Sequence, residues 1–430
     1  MTIKKTKTKP EPKKQRSNKN ILIFILSLLL ILLLAVGIAL IFKFSGKPGI
    51  SIHKNADGNY ALLVSNRPFI VRGVCYSPIP TGQTPVYNWW GDPAKPWITD
   101  GKLMKEAGIN TVRFYESGGN PGQVKSVMSD FYEKYGIYSI MGHGLSFWDF
   151  PHANYADPDF RQQVKKQVYQ MVQTYKHEPG LLGWVLGNEA NYSFDGSVNS
   201  WSTPELDAIK NAKDRQLAKA KIYYTFLNEL AQIIKTIDPA RPVGFGNGEL
   251  GSIEVAKEHC PDFDFVGIII YRGKSFGNLF RQLKERYDKP CVMIEFGCDS
   301  YNALKQEPDE ENQAFFLKTL WCEVEYNTYQ GKGEGNCLGG LIFSWNDEWW
   351  KYDQDNSKTW TVHNTEASWT NASYYFDTEG NPNMNEEWFG IVSMKPDKEN
   401  GINKRVPKKA YNTLKEVWQE QDKAPVCDWR

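Results

Sequence analysis

Short apolar runs alternate with amphipathic stretches along most of the chain. The clearest run, Leu181–Leu186, is almost wholly apolar and lies between two glycines. A run of this length with flanking glycines is typical of a strand that is buried on both faces of a parallel sheet. It is followed by Asn188 and Glu189, two polar side chains that a buried strand does not require. The pattern therefore predicts a central strand with a polar carboxyl end.

The same alternation recurs eight times from Pro68 onward and predicts eight strands that are each followed by a helix. A last amphipathic stretch, Lys408–Gln419, would close the ring after the eighth strand. Eight βα units in one domain predict an α/β fold, a (β/α)8 TIM barrel with enlarged loops. The predicted strands are Phe69–Tyr76, Thr111–Tyr115, Tyr138–His143, Leu181–Leu186, Val243–Asn247, Phe265–Tyr271, Val292–Phe296 and Leu338–Trp345.

Two segments around these units have patterns of their own. Residues 44–67 predict a short linker and a hairpin with its turn at Asp57–Gly58, before a barrel domain that spans residues 68–425. Within that domain, residues 346–403 form a long irregular segment between the last strand and the last helix. Long loops of compact domains are usually functional, so we expect this one to wall a cleft. Its tryptophans are Trp349, Trp350, Trp360, Trp369 and Trp388.

The N-terminal 43 residues predict a membrane anchor. Residues 1–20 hold eight Lys or Arg against one acidic residue, and the 22 residues of Ile21–Phe42 carry no charge. An apolar stretch of that length is long enough to cross a bilayer as a helix, and basic flanks stay on the cytoplasmic side. We predict a cytoplasmic tail (1–20), a single transmembrane helix (21–43) and a domain outside the cytoplasm, periplasmic or extracellular. Cleavage as a signal peptide stays open, because Ala35–Ala39 offers small residues.

Charge and composition exclude several classes of protein. The net charge is +1, and because the basic tail contributes +7, the rest of the chain is mildly acidic and gives no reason to expect nucleic-acid binding. The seven cysteines form no C-x-x-C pair and the six histidines lack metal-ligand spacing. We therefore expect no metal, no cofactor and no disulfide framework, although one bridge stays open.

Polar residues recur at the carboxyl ends of the predicted strands. These ends meet on one face of a TIM barrel and build its active site. A second strand, Cys291–Gly297, contains Glu295 near its end, as the first is followed by Glu189. Two carboxylates on one face are the minimum equipment for cleaving a glycosidic bond. The strand-end set is Tyr76, Arg113, His143, Asn188, Glu189, Asn247, Glu249, Tyr271, Glu295 and Trp345.

With these residues, the chain from about residue 68 to 414 resembles the clan A retaining glycoside hydrolases, particularly the barrels of families 2 and 5. The motifs that carry the resemblance are Asn188–Glu189 ending strand four, Glu295 ending strand seven, Arg113 on strand two and Trp345 ending strand eight. The resemblance implies that Glu189 is the general acid/base and Glu295 the nucleophile. It also implies an oligo- or polysaccharide substrate, a β-glycan, and a domain that acts by double displacement.

The resemblance assigns roles to the remaining residues as well. Asn188 would bind the sugar 2-hydroxyl, while Arg113 and Tyr271 would hold the nucleophile ionised and oriented. His143 would line the sugar subsite and Trp345 would form its floor. Two purely structural interpretations stay open: an internal salt bridge for Arg113 and a core position for His143.

The sequence leaves the outcome of the reaction open. Membrane-anchored barrels of related type include β-glucanosyltransferases, which pass the glycosyl group to another sugar and use the same two carboxylates as a hydrolase. A non-catalytic, sugar-binding envelope protein on a dead barrel is the competing class. Loss of a carboxylate or of Arg113 would mark such a protein, and Glu189, Glu295 and Arg113 are all present.

Overall fold

The first described residues fold into a small antiparallel sheet. The computed structural model describes residues 49–303, 305–366, 369–370 and 382–420. Asp57 and Gly58 lie in the turn of the first hairpin, and Ile52 and Leu62 line a small apolar space together with barrel residues such as Val71. The sheet therefore covers the N-terminal end of the barrel. Its strands are β1 (Ile50–Lys54), β2 (Tyr60–Val64) and β3 (Arg67–Phe69).

Eight parallel strands form the closed barrel that the apolar runs predict, so this part of the predicted fold class is confirmed. Each barrel strand pairs with the next one along the chain, and β13 pairs with both β10 and β4 to close the ring. A two-stranded hairpin, β11 (Tyr301–Asn302) with β12 (Glu307–Pro308), precedes β13. The barrel strands are β4 (Val71–Cys75), β5 (Thr111–Phe114), β6 (Tyr138–His143), β7 (Leu181–Leu186), β8 (Val243–Gly248), β9 (Phe265–Ile269), β10 (Cys291–Phe296) and β13 (Cys337–Ile342).

Two barrel strands have limits that differ from the predicted ones, the first at its start and the eighth at its end. Phe69 pairs with Leu62 in the N-terminal sheet, so the first barrel strand begins only at Val71. The eighth strand ends at Ile342, because the pairing beyond it is irregular: Phe343 N donates to Phe296 O of β10 at 2.8 Å, but Ser344 N donates to Phe389 O of the long loop at 3.2 Å. The side chains that follow Ile342 therefore do not follow the alternation of an extended strand.

Apolar side chains fill two layers, one inside the barrel and one between the barrel and its helices. On β6, Ile140 belongs to the inner layer and its neighbour Met141 to the outer one. Successive side chains of a strand point to opposite faces. The parity of a residue along its strand therefore decides whether its side chain enters the barrel.

Helices surround the barrel, and the last one closes the ring. The last helix packs between the helices on either side of it: Tyr411 donates to Leu103 O at 2.8 Å, and Trp418 lies edge-on to Trp321 with ring centroids 5.1 Å apart. Many helices begin at proline, whose fixed φ suits the first turn. The described helices are α1 (Pro96–Ala107), α2 (Pro121–Ser129), α3 (Pro158–Tyr175), α4 (Pro204–Ala208), α5 (Ala212–Ile237), α6 (Ile253–His259), α7 (Leu279–Arg286), α8 (Glu310–Tyr326) and α9 (Lys409–Glu420).

The sequence predicts that the long segment after β13 is irregular, but parts of it are regular in the structure. It contains β14 (Trp369–Thr370) paired with β15 (Pro382–Met384), and β16 (Val392–Glu399) paired with β17 (Ile402–Pro407). At its centre, three rings stack: the His363 ring lies 4.5 Å from that of the buried Trp349 and 3.6 Å from that of the half-buried Trp388. At its base, Lys408 forms a buried ion pair with Asp347 at 2.6 Å.

The predicted cytoplasmic tail and transmembrane helix, residues 1–20 and 21–43, lie outside the described residues. Within the ranges that the structure describes, no helix is both long and apolar enough to cross a membrane.

Candidate active site

Glu189 follows β7 in an unusual backbone conformation. Its φ is 62°, in the left-handed region that residues other than glycine rarely occupy, at a cost of about 1 kcal/mol or more. Asn191 fixes the turn, because its side chain exchanges two hydrogen bonds of 2.8 Å with the backbone of Gly248. Gly187 is also required, since its φ is 76° and a Cβ there would lie 2.5 Å from the Tyr223 hydroxyl. A strained backbone that the fold maintains at a polar strand end is a reason to suspect function.

Glu295, on β10, receives hydrogen bonds on both carboxylate oxygens. Arg113 Nη1 lies 2.7 Å from Oε1, and the Tyr115 hydroxyl donates to the same oxygen at 2.8 Å. The Tyr271 hydroxyl donates to Oε2 at 3.1 Å. The Arg113 and Glu295 side chains are only 2% and 7% exposed. Three donors, one of which is the buried Arg113 guanidinium, therefore orient this carboxylate.

Arg113 joins the two strand ends that carry the carboxylates. Its Nη2 donates to Asn188 Oδ1 at 2.7 Å while its Nη1 contacts Glu295. Arg113 lies opposite Cys75 of β4 and Ile140 of β6 in the parallel register, and both neighbours belong to the inner apolar layer. Its guanidinium can therefore enter the barrel mouth and fix the positions of the residues beside it.

Glu189 has electrostatic surroundings unlike those of Glu295. Burial raises the pKa of Glu189, and the negative charges of Glu295 and Glu386 raise it further, whereas Lys351 and Arg113 act in the opposite direction. The net effect is a pKa well above the ordinary value for a glutamate. One carboxyl group is thus surrounded by donors, and the other favours the protonated form. In such a pair, the first group can act as a base or nucleophile and the second as an acid.

A group of loop residues lies beside this pair, and we call Phe343, Glu348, Lys351 and Glu386 the rim. Lys351 Nζ is 3.1 Å from Glu386 Oε2 and 3.7 Å from Glu348 Oε2. The same ammonium lies 5.2 Å from the centroid of the Phe343 ring, and that ring lies 6.3 Å from the ring of Tyr271. The rim is therefore continuous with the side chains that hold Glu295.

Comparison with known proteins shows the family. The family model described as "Glycosyl hydrolases family 2, TIM barrel domain" matches residues 59–330, which is more than half of the chain. The chain belongs to glycosyl hydrolases family 2. Its domain is a glycosidase or a related enzyme, and the resemblance to clan A barrels is confirmed.

Relatives with curated names cover part of this family 2 chain. It is 27% identical over 322 residues to the 1,3-beta-glucanosyltransferase GAS4 of Saccharomyces cerevisiae, a match that covers 68% of this chain and 58% of that protein. It is 24% identical over 206 residues to a beta-galactosidase of Leuconostoc mesenteroides, covering 47% of this chain and 16% of that protein. The chain thus spans less than two thirds of these relatives.

Solved structures share the fold. The GH2 beta-galacturonidase from Eisenbergiella tayi is 18% identical, with a TM-score of 0.54 over 87% of this chain and 54% of that one. The beta-glucuronidase 2 of Bacteroides uniformis is 15% identical, with a TM-score of 0.55 over 86% of this chain and 37% of that one. At such identities the likeness describes the fold alone.

The structure brings five of the seven residues predicted for the site into one cluster. These are Arg113, Asn188, Glu189, Tyr271 and Glu295, which are linked by the hydrogen bonds and electrostatic interactions described above. Tyr115 belongs to the same cluster, and the sequence analysis missed it. It follows Arg113 by two residues, so the alternation of a strand could have indicated that both side chains share a face.

His143 lies outside this cluster. Its Nδ1 accepts a hydrogen bond from Leu145 N at 3.1 Å, and the ring also interacts with Gln167 of α3. His143 shares its side of β6 with Met141, which packs in the layer between barrel and helices. Burial lowers the pKa of His143 and favours its neutral form. These contacts agree with the alternative of a core histidine, and the role in a sugar subsite stays a prediction.

Trp345 is also a core residue and not a subsite floor. Its side chain has no exposed surface and packs against Tyr411 of α9, with ring centroids 6.3 Å apart. Phe343, two residues earlier, packs instead with Tyr271 and Phe389 in the inner layer. Trp345 N still donates to Cys75 O of β4 at 3.1 Å, but the regular strand ends at Ile342, so that strand alternation no longer sets the direction of the side chains beyond it.

Three further strand-end residues have structural partners. The Tyr76 hydroxyl donates to Asp100 at 2.9 Å, beside the buried ion pair between Asp100 and Arg405. Asn247 accepts from the Tyr224 hydroxyl at 2.6 Å. Glu249 forms a two-pronged ion pair with Arg272. Over the described ranges, no group of three His, Cys, Asp or Glu side chains could hold a metal ion.

Proposed function

We propose that this family 2 domain is a retaining β-glycosidase in which Glu295 is the nucleophile and Glu189 the general acid/base. The observation that carries the proposal is the contrast between the two carboxylates. Arg113, Tyr115 and Tyr271 all donate to Glu295, whereas burial and neighbouring charges raise the pKa of Glu189. A retaining mechanism requires a charged attacking group and a protonated donor at the start of the cycle.

The proposed cycle has two displacements. Glu189 gives its proton to the glycosidic oxygen while a Glu295 oxygen attacks the anomeric carbon, so the leaving group departs as a neutral alcohol and a glycosyl ester forms. Glu189, now a carboxylate, takes a proton from water, and that water displaces Glu295 with a second inversion. The net stereochemistry is retention, which requires the two carboxyl groups to stand about 5–5.5 Å apart.

The surrounding residues have supporting roles in this proposal. Asn188, held by Arg113, would bind the sugar 2-hydroxyl, where hydrogen bonds strengthen in the transition state. Tyr115 and Tyr271 would release part of their hydrogen bonding as Glu295 becomes an ester. Phe343 would offer an apolar face to the sugar ring beside Tyr271.

Substitution of each carboxylate separately tests this assignment. Glu295→Gln removes the attacking oxygen and should abolish turnover of every substrate. Glu189→Gln removes only the proton donor, so a dinitrophenyl β-glycoside, whose leaving group needs no proton, should still glycosylate Glu295 and release a burst of phenolate. Natural glycans should be nearly inert to both variants. Equal, wild-type activity of both variants would show that the chemistry lies elsewhere.

Transfer to a second sugar is a specific alternative outcome. The 27% identity to a 1,3-beta-glucanosyltransferase over 68% of this chain favours it. The same glycosyl-enzyme would then be captured by a sugar hydroxyl and not by water. Incubation with β-1,3-linked oligosaccharides distinguishes the outcomes: products longer than the substrate indicate a transferase, and only shorter products indicate a hydrolase. A dead barrel would give neither.

We also propose that the domain acts outside the cytoplasm, joined to a membrane by residues 21–43. The support is the uncharged stretch Ile21–Phe42 after a basic tail. In addition, Cys322 of α8 is disulfide-bonded, and disulfides persist mainly in oxidising compartments. An envelope or extracellular β-glycan would be the matching substrate.

A further inference from the structure

The rim contains charged side chains that the proposed cycle does not use. Lys351 lies between Glu348 and Glu386, and it contacts the Phe343 ring that packs on Tyr271. The Glu348 side chain is only 5% exposed, and its Oε2 has no hydrogen-bond partner among the described side chains and backbone. Lys351 Nζ lies 3.7 Å from this oxygen, which is an ion-pair distance but too long for a hydrogen bond, so the oxygen can still accept a hydrogen bond from a hydroxyl group.

The cations around the site are already paired with carboxylates. Arg113 is held by Glu295, Lys351 by Glu386 and Glu348, and Arg272 of the loop after β9 by Glu249. The loop adds no further cation here, since residues 359–394 contain no Lys or Arg at all. The acidic residues of that stretch are Glu366, Asp377, Glu379, Glu386 and Glu387. The rim therefore offers no unpaired positive charge over the part of the site that the structure describes.

We propose that the rim makes this site select neutral, hydroxyl-rich pyranosides and reject uronic acids. The inference rests on the proposed glycosidase function and narrows its substrate class. The proposal places C6 of the bound sugar at the rim, where a carboxylate would compete with Glu348 and Glu386 for Lys351. Like charges brought together in a partly desolvated site repel strongly. A C6 hydroxyl can donate to Glu348 Oε2 and accept from Lys351 without adding charge. The specificity would then differ from that of the structural neighbours, which are a beta-galacturonidase and a beta-glucuronidase.

Matched substrate pairs test this selection in the full-length protein. Dinitrophenyl β-glucoside and β-glucuronide share a leaving group and differ only at C6, as do the corresponding galactoside and galacturonide. We expect kcat/KM for the better neutral sugar to exceed that for its uronide by at least about tenfold. Glu386→Gln should raise the ratio of uronide to neutral activity about tenfold, because Lys351 loses one of its two anionic partners. Asp397→Asn, which removes an exposed acid of β16, should leave the ratio unchanged.

The ratio comes from one preparation at a time, so it does not depend on the folded fraction of a variant. A wild-type preference for a uronide, or an unchanged ratio in Glu386→Gln, would overturn the inference while Glu295-dependent cleavage still supported the glycosidase. Loss of both, with no sugar cleaved, would instead overturn the proposed function and the inference with it. Calorimetry with a β-1,3-glucan oligosaccharide and its C6-oxidised form adds a readout without turnover: tighter binding of the oxidised form contradicts the selection.

Discussion

Two tyrosine hydroxyls donate to different oxygens of Glu295, Tyr115 to Oε1 and Tyr271 to Oε2. A hydrogen bond to a charged group contributes about 1.5–3 kcal/mol, so Tyr115→Phe and Tyr271→Phe should each lower kcat/KM by about 10- to 100-fold. Steady-state kinetics with a dinitrophenyl β-glycoside measures the effect. Tyr169→Phe, which changes an exposed tyrosine of α3, is the matched control and should behave as wild type. Full activity in both active-site variants would show that these hydroxyls do not contribute to catalysis.

The raised pKa of Glu189 predicts the alkaline limb of the pH profile. The donor must be protonated, so kcat/KM on a substrate with a poor leaving group falls as pH rises through the pKa of Glu189, above the range of an ordinary glutamate. The charge of Glu386 raises that pKa and the charge of Lys351 lowers it. Glu386→Gln should therefore move the limb to lower pH, and Lys351→Gln should move it to higher pH. Shifts in the same direction for both variants would contradict the assignment.

Strand parity explains which site residues the sequence could predict. Arg113, Asn188, Tyr271 and Glu295 lie in or next to barrel strands whose buried runs mark their ends, so their convergence followed from the barrel. His143 lies at the end of a correctly predicted strand but on its outer face, a distinction that a run of apolar residues on both faces does not reveal.

Among the elements, the loop after β13 departs most from the sequence prediction. Its tryptophans suggested a cleft wall, but Trp349 is buried, donates to Met394 O at 2.9 Å and stacks on His363. The bounds of β16 and β17 were also unforeseen, because their exposed, charged ends lack a clear alternation. The rim residues could not be predicted either, since their position depends on how this loop folds back on the barrel.

Because His363 is part of this stack, the free energy of unfolding should depend measurably on pH. Burial lowers the pKa of His363 to about 4 from its ordinary value of 6.5, although the charge of Asp347 opposes this. The unfolded chain therefore binds a proton between pH 6.5 and 4 that the folded loop does not, and this group's contribution to stability is lost as pH falls through that window. His363→Phe removes the proton site. The difference in unfolding free energy between wild type and variant should change by up to about 3 kcal/mol across the window, measured by denaturant unfolding. A constant difference would show that His363 titrates alike in both states.

For the molecule as a whole, we propose that the N-terminal segment determines on which side of a membrane the domain acts. A basic tail before an uncharged stretch of 22 residues predicts that the tail stays in the cytoplasm and the domain outside it. Protease added to cells with a permeabilised outer envelope should degrade the domain and spare a tag on residue 1. Replacing the Lys and Arg residues of the tail by neutral residues should weaken this orientation. Complete protection of the domain in intact, envelope-permeable cells would contradict the predicted topology.

The proposed mechanism depends on a covalent bond between Glu295 and the sugar, and trapping that bond is its most direct test. A dinitrophenyl 2-deoxy-2-fluoro-β-glycoside should release its phenolate once per enzyme molecule and leave the fluorosugar attached, because the fluorine slows the second displacement. Peptide mass spectrometry should then find the added mass on the peptide that contains Glu295, and Glu295→Gln should remain unlabelled. A label on Glu189 would reverse the two roles, and an unlabelled enzyme that turns the natural glycan over with inversion would contradict the retaining mechanism.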